Sequence, residues 1–128
     1  MLAKKTPDAH AFAALPNGGL LVLPPPAPVA ASRDAIFRLA TQHRLPAVYA
    51  GDRLLAAAGG LMTYGSDFRD RDQRAAIYVD RLLRGARVAD LTVQFPIKYD
   101  LVINLKTAKA IGLSLPPALL ARADEVIE

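Results

Sequence analysis

The histidines and acidic residues of this sequence are the side chains that could carry acid–base or metal chemistry. His10 and His43 have no histidine four residues away, and there is no H-E-x-x-H motif, so the spacing does not predict a catalytic zinc site. Asp67, Asp70 and Asp72 are the residue type of an acidic metal cluster. A helix would spread these carboxylates around one turn, each near an arginine, so we interpret them as solvated ion pairs.

The residue types of a hydrolytic triad are also present. Ser32, Asp34 and His43 could supply them, but the chain has no G-x-S-x-G motif, and Ser32 is better placed to cap a helix. The glycines form neither G-x-G-x-x-G nor a Walker A motif. The absence of cysteine excludes disulfides, thiolate catalysis and cysteine-ligated metals. The sequence predicts no cofactor, and nothing in it requires an enzyme.

A binding site is the more specific prediction, because ligands of open α/β folds lie beyond the carboxyl ends of the strands. Of the residues at those ends, Asp52 can accept a hydrogen bond from a ligand ammonium, and Tyr64 can stack on an apolar or aromatic ligand. Gly65 allows a close backbone approach. The alternative is that Asp52 only caps a helix and Tyr64 only packs. The predicted ligand-binding residues are Pro24, Pro25, Asp52, Tyr64 and Gly65.

Three short apolar runs must position these residues. Leu20–Leu23, Ala47–Ala50 and Leu61–Tyr64 are each bounded by turn residues, as buried strands are. A helix beginning at Ser32 and a short helix capped by Asp52 separate them. This alternation predicts an α/β fold with a parallel sheet and flanking helices.

The helix with the clearest sequence signals is predicted from Asp67 to Gly85. Ser66 or Asp67 can cap its first turn, and Gly85 is the expected terminator. Its apolar stripe predicts a layer that covers a sheet, so Val79→Asp or Leu82→Asp should unfold the protein. The residues of that stripe are Ala75, Ala76, Tyr78, Val79, Leu82 and Leu83.

The last third of the chain is predicted to hold two more strands, Thr92–Phe95 and Tyr99–Ile103. Asn104 is placed to cap a helix that continues through Ile111 and stops at Gly112. Pro116 and Pro117 open a last helix, whose apolar face is formed by Leu119, Leu120, Ala123, Val126 and Ile127.

Length and charge exclude several classes of protein. The 128 residues predict one domain, and the net charge of +4 is scattered without a dense basic run, so nucleic acid is not a predicted partner. The longest apolar stretch, Gly18–Ala31, is interrupted by prolines and is too short to span a membrane. No apolar segment of a signal peptide follows Met1, so we expect a cytoplasmic location if the chain is expressed as written.

Six segments together resemble the ABC transporter substrate-binding proteins of the tryptophan/tyrosine-uptake-like type. The resemblance extends from about Phe12 to the end of the chain. The segments are Leu45–Tyr49, Ala58–Gly65, Arg74–Ala86, Ala89–Pro96, Leu101–Leu113 and Pro116–Ile127.

The resemblance implies a type I periplasmic-binding-protein fold, in which two α/β lobes close on a small solute. The chain would be the C-terminal portion only, a truncated form that lacks the first lobe. Residues 1–18 would be a poorly defined start, 19–85 a βαβαβα core, and 86–128 the interlobe crossover strands and C-terminal helices. The strands at Leu20 and Val48 would belong to the second lobe, and the strand at Met62 and the long helix to the first.

The function that the resemblance implies is that of the solute-binding component of an ABC importer, without catalysis. Its partners would be a small solute, such as one similar to an amino acid, and an ABC permease, and its location would be periplasmic. The alternative is a small flavodoxin-like interaction or regulatory domain, which would form a homodimer through the surface left without its usual partner.

Overall fold

The structure is a computed structural model that describes residues 18–23 and 33–128. At its centre is a five-stranded sheet in the order β1-β2-β3-β4-β5. The first three strands are parallel, β4 is antiparallel to β3, and β5 is parallel to β4. The predictions of an α/β fold and of three parallel strands are confirmed. The strands are β1 (Leu20–Val22), β2 (Ala47–Ala50), β3 (Met62–Ser66), β4 (Tyr99–Asn104) and β5 (Glu125–Ile127).

Five α-helices connect these strands within the described residues. The predicted cap of the first helix, Ser32, lies outside the described residues. After that helix the chain turns at Arg44, whose φ of 52° is left-handed. The helices are α1 (Arg33–Gln42), α2 (Leu54–Ala57), α3 (Phe68–Leu83), α4 (Leu105–Ala110) and α5 (Pro117–Leu120), with a short 3-10 helix at Val88–Asp90.

One part of the core lies between α1 and the first two strands. Phe37 of α1 meets Tyr49 of β2 edge to face, with ring centroids 4.9 Å apart. Ala40 and Ala47 complete this buried cluster. Burial raises the pKa of the Tyr49 hydroxyl to about 12.

A second part of the core lies where α4 meets the start of β3, and there Leu61 packs with Ala108 and Ile111. Asn104 caps α4 as predicted, because its Oδ1 accepts from the Thr107 N–H at 3.0 Å. Gly112 ends this segment with a φ of 72°, also as predicted.

Helix α3 has the predicted ends but not the predicted environment. Asp67 accepts hydrogen bonds from the first turn, and Gly85 has a left-handed φ of 93°. No residue of α3 is buried, however, and Val79 is 55% exposed. The prediction that this helix covers the sheet is therefore wrong for the described residues.

The segment after α3 also has no strand partner among the described residues. The predicted strand Thr92–Phe95 forms no ladder with the described residues, and Val93, Phe95 and Ile97 are all exposed. A strand forms only where a second backbone can take its hydrogen bonds, and residues 18–23 and 33–128 offer none to this segment. Residues 67–98 thus leave the sheet after β3 and return to it at β4, and we call them the arm.

The final segment corrects another prediction. Helix α5 ends at Leu120, and Glu125–Ile127 is a strand paired with β4 instead of a continuation of the helix. Asp124 starts the pairing, since its N–H donates to the Leu101 carbonyl and its Oδ2 accepts from the Leu101 N–H. A short apolar run fits a helix or a strand equally well, so periodicity alone could not decide.

The expected division between lobes is corrected too. The resemblance placed the strand at Met62 in a different lobe from the strands at Leu20 and Val48. In the structure β3 pairs directly with β2, in the register Val48 to Met62, so all three strands share one sheet. The chain leaves that sheet only after β3, at the start of the arm.

Two valine substitutions test this arrangement. We expect Val79→Asp to lower the free energy of unfolding by less than about 1 kcal/mol, because its side chain is exposed. Val102→Asp should abolish cooperative unfolding, because Val102 is 1% exposed and an unpaired carboxylate there is costly. Urea unfolding followed by circular dichroism measures both variants. If both variants lost the same free energy of unfolding, the exposed position of α3 would be contradicted.

Candidate functional site

A cleft of about 280 Å³ opens at the carboxyl ends of β2 and β3. It lies at the edge of the sheet where the parallel strands end, which is the position that open α/β folds use for ligands. The turn after β2, the beginning of the arm and the amino end of β4 form its walls. The lining residues are Asp52, Arg53, Leu54, Ser66, Phe68, Arg69 and Asp100.

The turn after β2 places the first carboxylate. Asp52 Oδ1 accepts from the Leu54 N–H at 2.8 Å, which caps the short helix α2. Asp52 therefore caps a helix and also lines the cleft. The next residue, Arg53, forms an ion pair with Glu125 of β5, with 2.5 Å between Nη2 and Oε2. This pair occupies its guanidinium.

Gly65 brings the turn after β2 against β3. A Cβ atom at Gly65 would lie 2.3 Å from the carbonyl oxygen of Gly51, and the Gly51 N–H donates to the Tyr64 carbonyl at 3.3 Å. The close approach that the sequence predicted at Gly65 is thus made by another part of the backbone.

Tyr64 points to the opposite face of the sheet from Gly65, because successive side chains of a strand alternate. Its ring stacks on Tyr99 with centroids 5.7 Å apart, and it does not line the cleft. Pro24 and Pro25 lie outside the described residues. Of the five residues predicted from the sequence, the structure brings Asp52 into this cleft.

Two opposite charges in the cleft were not predicted. The Arg69 guanidinium and the Asp100 carboxylate both line it, and neither makes a hydrogen bond or an ion pair with another described residue. Phe68 and Leu54 add apolar surface. Arg69 could have been noticed from its place in the first turn after β3. Asp100 could not, because it reaches the cleft only through the antiparallel register that sets it opposite Gly65.

The base of the arm adjoins the same cleft. Asp67 accepts from the Arg69 N–H at 2.9 Å and from Lys98 Nζ at 2.7 Å, and its own N–H donates to the Lys98 carbonyl at 3.0 Å. The hydrogen bond from Lys98, above all, holds the pKa of the Asp67 carboxyl below its ordinary value. The same hydrogen bond raises the pKa of the Lys98 ammonium. We call this pair the clasp.

The family model of ABC transporter substrate binding proteins matches residues 13–127. The chain belongs to this family. No curated protein matches the sequence.

Solved structures resemble this substrate-binding family member over most of its length. A conserved domain protein from Vibrio cholerae O1 biovar El Tor is 28% identical with a TM-score of 0.77, and the match covers 92% of this chain and 39% of that one. The ABC domain from Streptococcus pneumonia, solved in complex with L-Trp, is 21% identical with a TM-score of 0.74, and the match covers 95% and 43%. The ligand-free, open structure of a Clostridium difficile substrate-binding protein with adhesive properties is 18% identical with a TM-score of 0.65, covering 94% and 39%.

These likenesses establish the fold as that of the periplasmic binding proteins, with a mixed α/β sheet and flanking helices. The chain spans about two fifths of the length of the solved structures that it matches.

The described part of this family member offers neither a grouped metal site nor a membrane-spanning helix. Within residues 18–23 and 33–128, no three His, Cys, Asp or Glu side chains are grouped so that they could hold a metal ion. Over the same ranges, none of the helices has the length and apolar character needed to cross a membrane.

Proposed function

We propose that this chain forms one wall of the solute-binding cleft in the substrate-binding component of an ABC importer and performs no chemistry itself. The observation that carries the proposal is that two opposite charges, Arg69 and Asp100, line the cleft at the carboxyl edge of the sheet without a hydrogen bond or ion pair to the side chain of another described residue. Charged groups in a cleft whose hydrogen-bonding atoms are not used by the described residues are available to a ligand. Members of this family are typically periplasmic and deliver a solute to an ABC permease, which we propose as the partner.

The chemistry of the wall supports a zwitterionic solute with an apolar side chain. The planar guanidinium of Arg69 suits a carboxylate, which it can bind through two parallel hydrogen bonds. Asp100 and the second oxygen of Asp52 suit an ammonium group, and Phe68 can pack against an apolar or aromatic side chain. An amino acid such as tryptophan combines these three features, and the Streptococcus pneumonia structure was solved with L-Trp.

We infer a second, complementary wall of the cleft from two features, the open side of the cleft and the exposed apolar surface of the arm. The arm exposes Val93, Phe95 and Ile97 at alternating positions of an extended segment, as a strand does before a partner covers it. The match to the Vibrio cholerae structure covers 92% of this chain. Since so few residues lie outside the match, most of the arm must have a counterpart in that structure. We propose that the part of such relatives without a counterpart here covers the arm and closes the cleft.

A titration of the chain with L-tryptophan tests the proposal. One wall alone should bind weakly, so we use nuclear magnetic resonance, which detects dissociation constants near 1 mM, equivalent to about −4 kcal/mol. The backbone amides of Asp52, Ser66 and Asp100 should shift as L-tryptophan is added. Arg69→Ala should reduce these shifts, because the carboxylate loses its cation.

Two controls make this result specific. Arg122→Ala removes an exposed arginine outside the cleft lining and should leave the titration unchanged. Tyr64→Ala tests the site predicted from the sequence, and an effect as large as that of Arg69→Ala would place the site beside the stacked rings of Tyr64 and Tyr99 instead. Shifts that are scattered over the surface and unaffected by Arg69→Ala would contradict the proposed cleft.

A further inference from the structure

The arm is attached to the sheet through two adjacent strand ends. The last paired residues of the ladder between β3 and β4 are Ser66 and Tyr99. Beyond them, the chain is held by the backbone hydrogen bond from Asp67 to Lys98 and by the ion pair between the same residues. A two-stranded connection of this kind twists more readily than a sheet does, so its side-chain contacts decide how firmly the arm is oriented.

We infer that the clasp between Asp67 and Lys98 is a positioning pair that fixes the angle of the arm to the sheet, and with it the shape of the cleft. The Asp67 side chain is only 11% exposed and receives hydrogen bonds from both crossing segments, the start of α3 and Lys98. It therefore ties the outgoing chain to the returning chain at one point. The bond is charge-assisted and short, which strengthens it, while solvent screens its Lys98 end, whose side chain is 61% exposed.

The other side-chain bonds of the arm do not fix the angle between the arm and the sheet. Among the described residues, each joins two positions that lie farther from the sheet than the clasp, so it can stiffen the arm but does not hold the two chain segments together where they leave the sheet. They are the ion pairs Asp70–Arg74, Arg71–Asp72, Asp80–Arg84 and Arg87–Asp90, and the hydrogen bonds from Arg74 to Gln94 and from Tyr78 to the Thr92 carbonyl.

The position of the clasp links the arm to the cleft. Phe68 and Arg69 follow Asp67 directly and move with the arm, whereas Asp52 belongs to the sheet side. A change in the angle of the arm therefore changes the distance between the cationic and the anionic side of the cleft. This consequence for solute binding rests on the proposed function, while the orientation of the arm does not.

Distance measurements between two spin labels test the inference without any ligand. The chain has no cysteine, so labels attach only at introduced positions. Ala89→Cys at the 3-10 helix of the arm and Lys109→Cys on α4 are both exposed sites. With the clasp intact we expect a narrow distance distribution. Lys98→Met, which keeps most of the stem and removes the charge, should broaden it.

The variants at Asp67 separate the clasp from the helix cap. Asp67→Asn keeps a good cap for α3 but loses the charge, so it should broaden the distribution as Lys98→Met does. The double variant should be no broader than either single one, because both remove the same interaction. Lys98→Arg keeps the positive charge that pairs with Asp67, so its distance distribution should stay narrow. Asp80→Asn, which breaks an exposed ion pair inside the arm, should have no effect.

A narrow, unshifted distribution in Lys98→Met, with folding verified by circular dichroism, would overturn the inference. So would a double variant whose broadening reaches the sum of the two single effects, since additive effects mean that the two residues act separately. Neither result depends on L-tryptophan binding, so the clasp and the proposed function can fail independently.

Discussion

Asn104→Asp is expected to lower the free energy of unfolding by about 3–5 kcal/mol at neutral pH. Asn104 is 5% exposed, and its Nδ2 donates to the Ala56 carbonyl at 2.8 Å while its Oδ1 accepts from the Thr107 N–H. An aspartate would keep the acceptor that caps α4. It would replace the donor with a negative oxygen that faces the Ala56 carbonyl oxygen, in a site with little water.

The loss should depend on pH in a defined direction. Burial beside a carbonyl oxygen raises the pKa of the introduced carboxyl in the folded state above its unfolded value of about 3.9. The folded state then binds more protons than the unfolded state, so stability falls as pH rises and recovers as pH falls. When it is protonated, the carboxyl can donate to the Ala56 carbonyl as the amide did. Urea unfolding near neutral pH and at about pH 5 measures both effects.

Thr107→Val is the matched control for this experiment. It removes the hydroxyl that donates to the Gly59 carbonyl at 3.1 Å, close to Asn104, and introduces no charge. We expect a loss of about 1 kcal/mol that does not change with pH. If Asn104→Asp were as stable as the original chain at neutral pH, the buried hydrogen bond to Ala56 would not hold α2 to β4.

Gly65→Ala is expected to cost about 2–3 kcal/mol, because the new methyl group would lie 2.3 Å from the Gly51 carbonyl oxygen. Backbone cannot swing aside as a flexible side chain can, so the turn after β2 must move away from β3. Asp52 moves with that turn, and the amide shifts that L-tryptophan causes should weaken as well. Thermal unfolding and the same titration provide the two measurements.

Gly19→Ala controls for the general cost of replacing a glycine near a strand. A Cβ atom there would lie 3.3 Å from the Pro46 carbonyl oxygen, which a small adjustment relieves, so we expect a loss below about 1 kcal/mol. Similar losses at both positions would mean that the contact between Gly65 and Gly51 is not as tight as described.

The sequence was most informative where the signal is local. Asp67 and Asn104 were recognised as helix caps from their residue type and position, and the three short apolar runs were recognised as parallel strands from the turn residues around them. Each of these assignments depends on neighbours within a few residues. These local sequence signals do not depend on how the rest of the chain folds.

The errors arose where the outcome depends on a distant partner. Thr92–Phe95 has the composition of a strand but meets no second backbone, and α3 has an apolar stripe but no sheet beneath it among the described residues. In the cleft, Asp52 could be predicted because it follows its strand directly. Asp100 depends on the pairing of β4 with β3, and that register is not visible in local sequence.

The antiparallel pairing of β3 with β4 has a consequence for how the chain is connected. Neighbouring antiparallel strands can be joined by a turn of two residues, whereas parallel strands require a crossover. In the order of the chain, residues 68–97 are therefore an insertion between the two strands of a β-hairpin. The entropy of closing a loop grows only with the logarithm of its length. A long insertion there thus costs the sheet little, and the size of the arm could change in evolution without altering the order of the five strands.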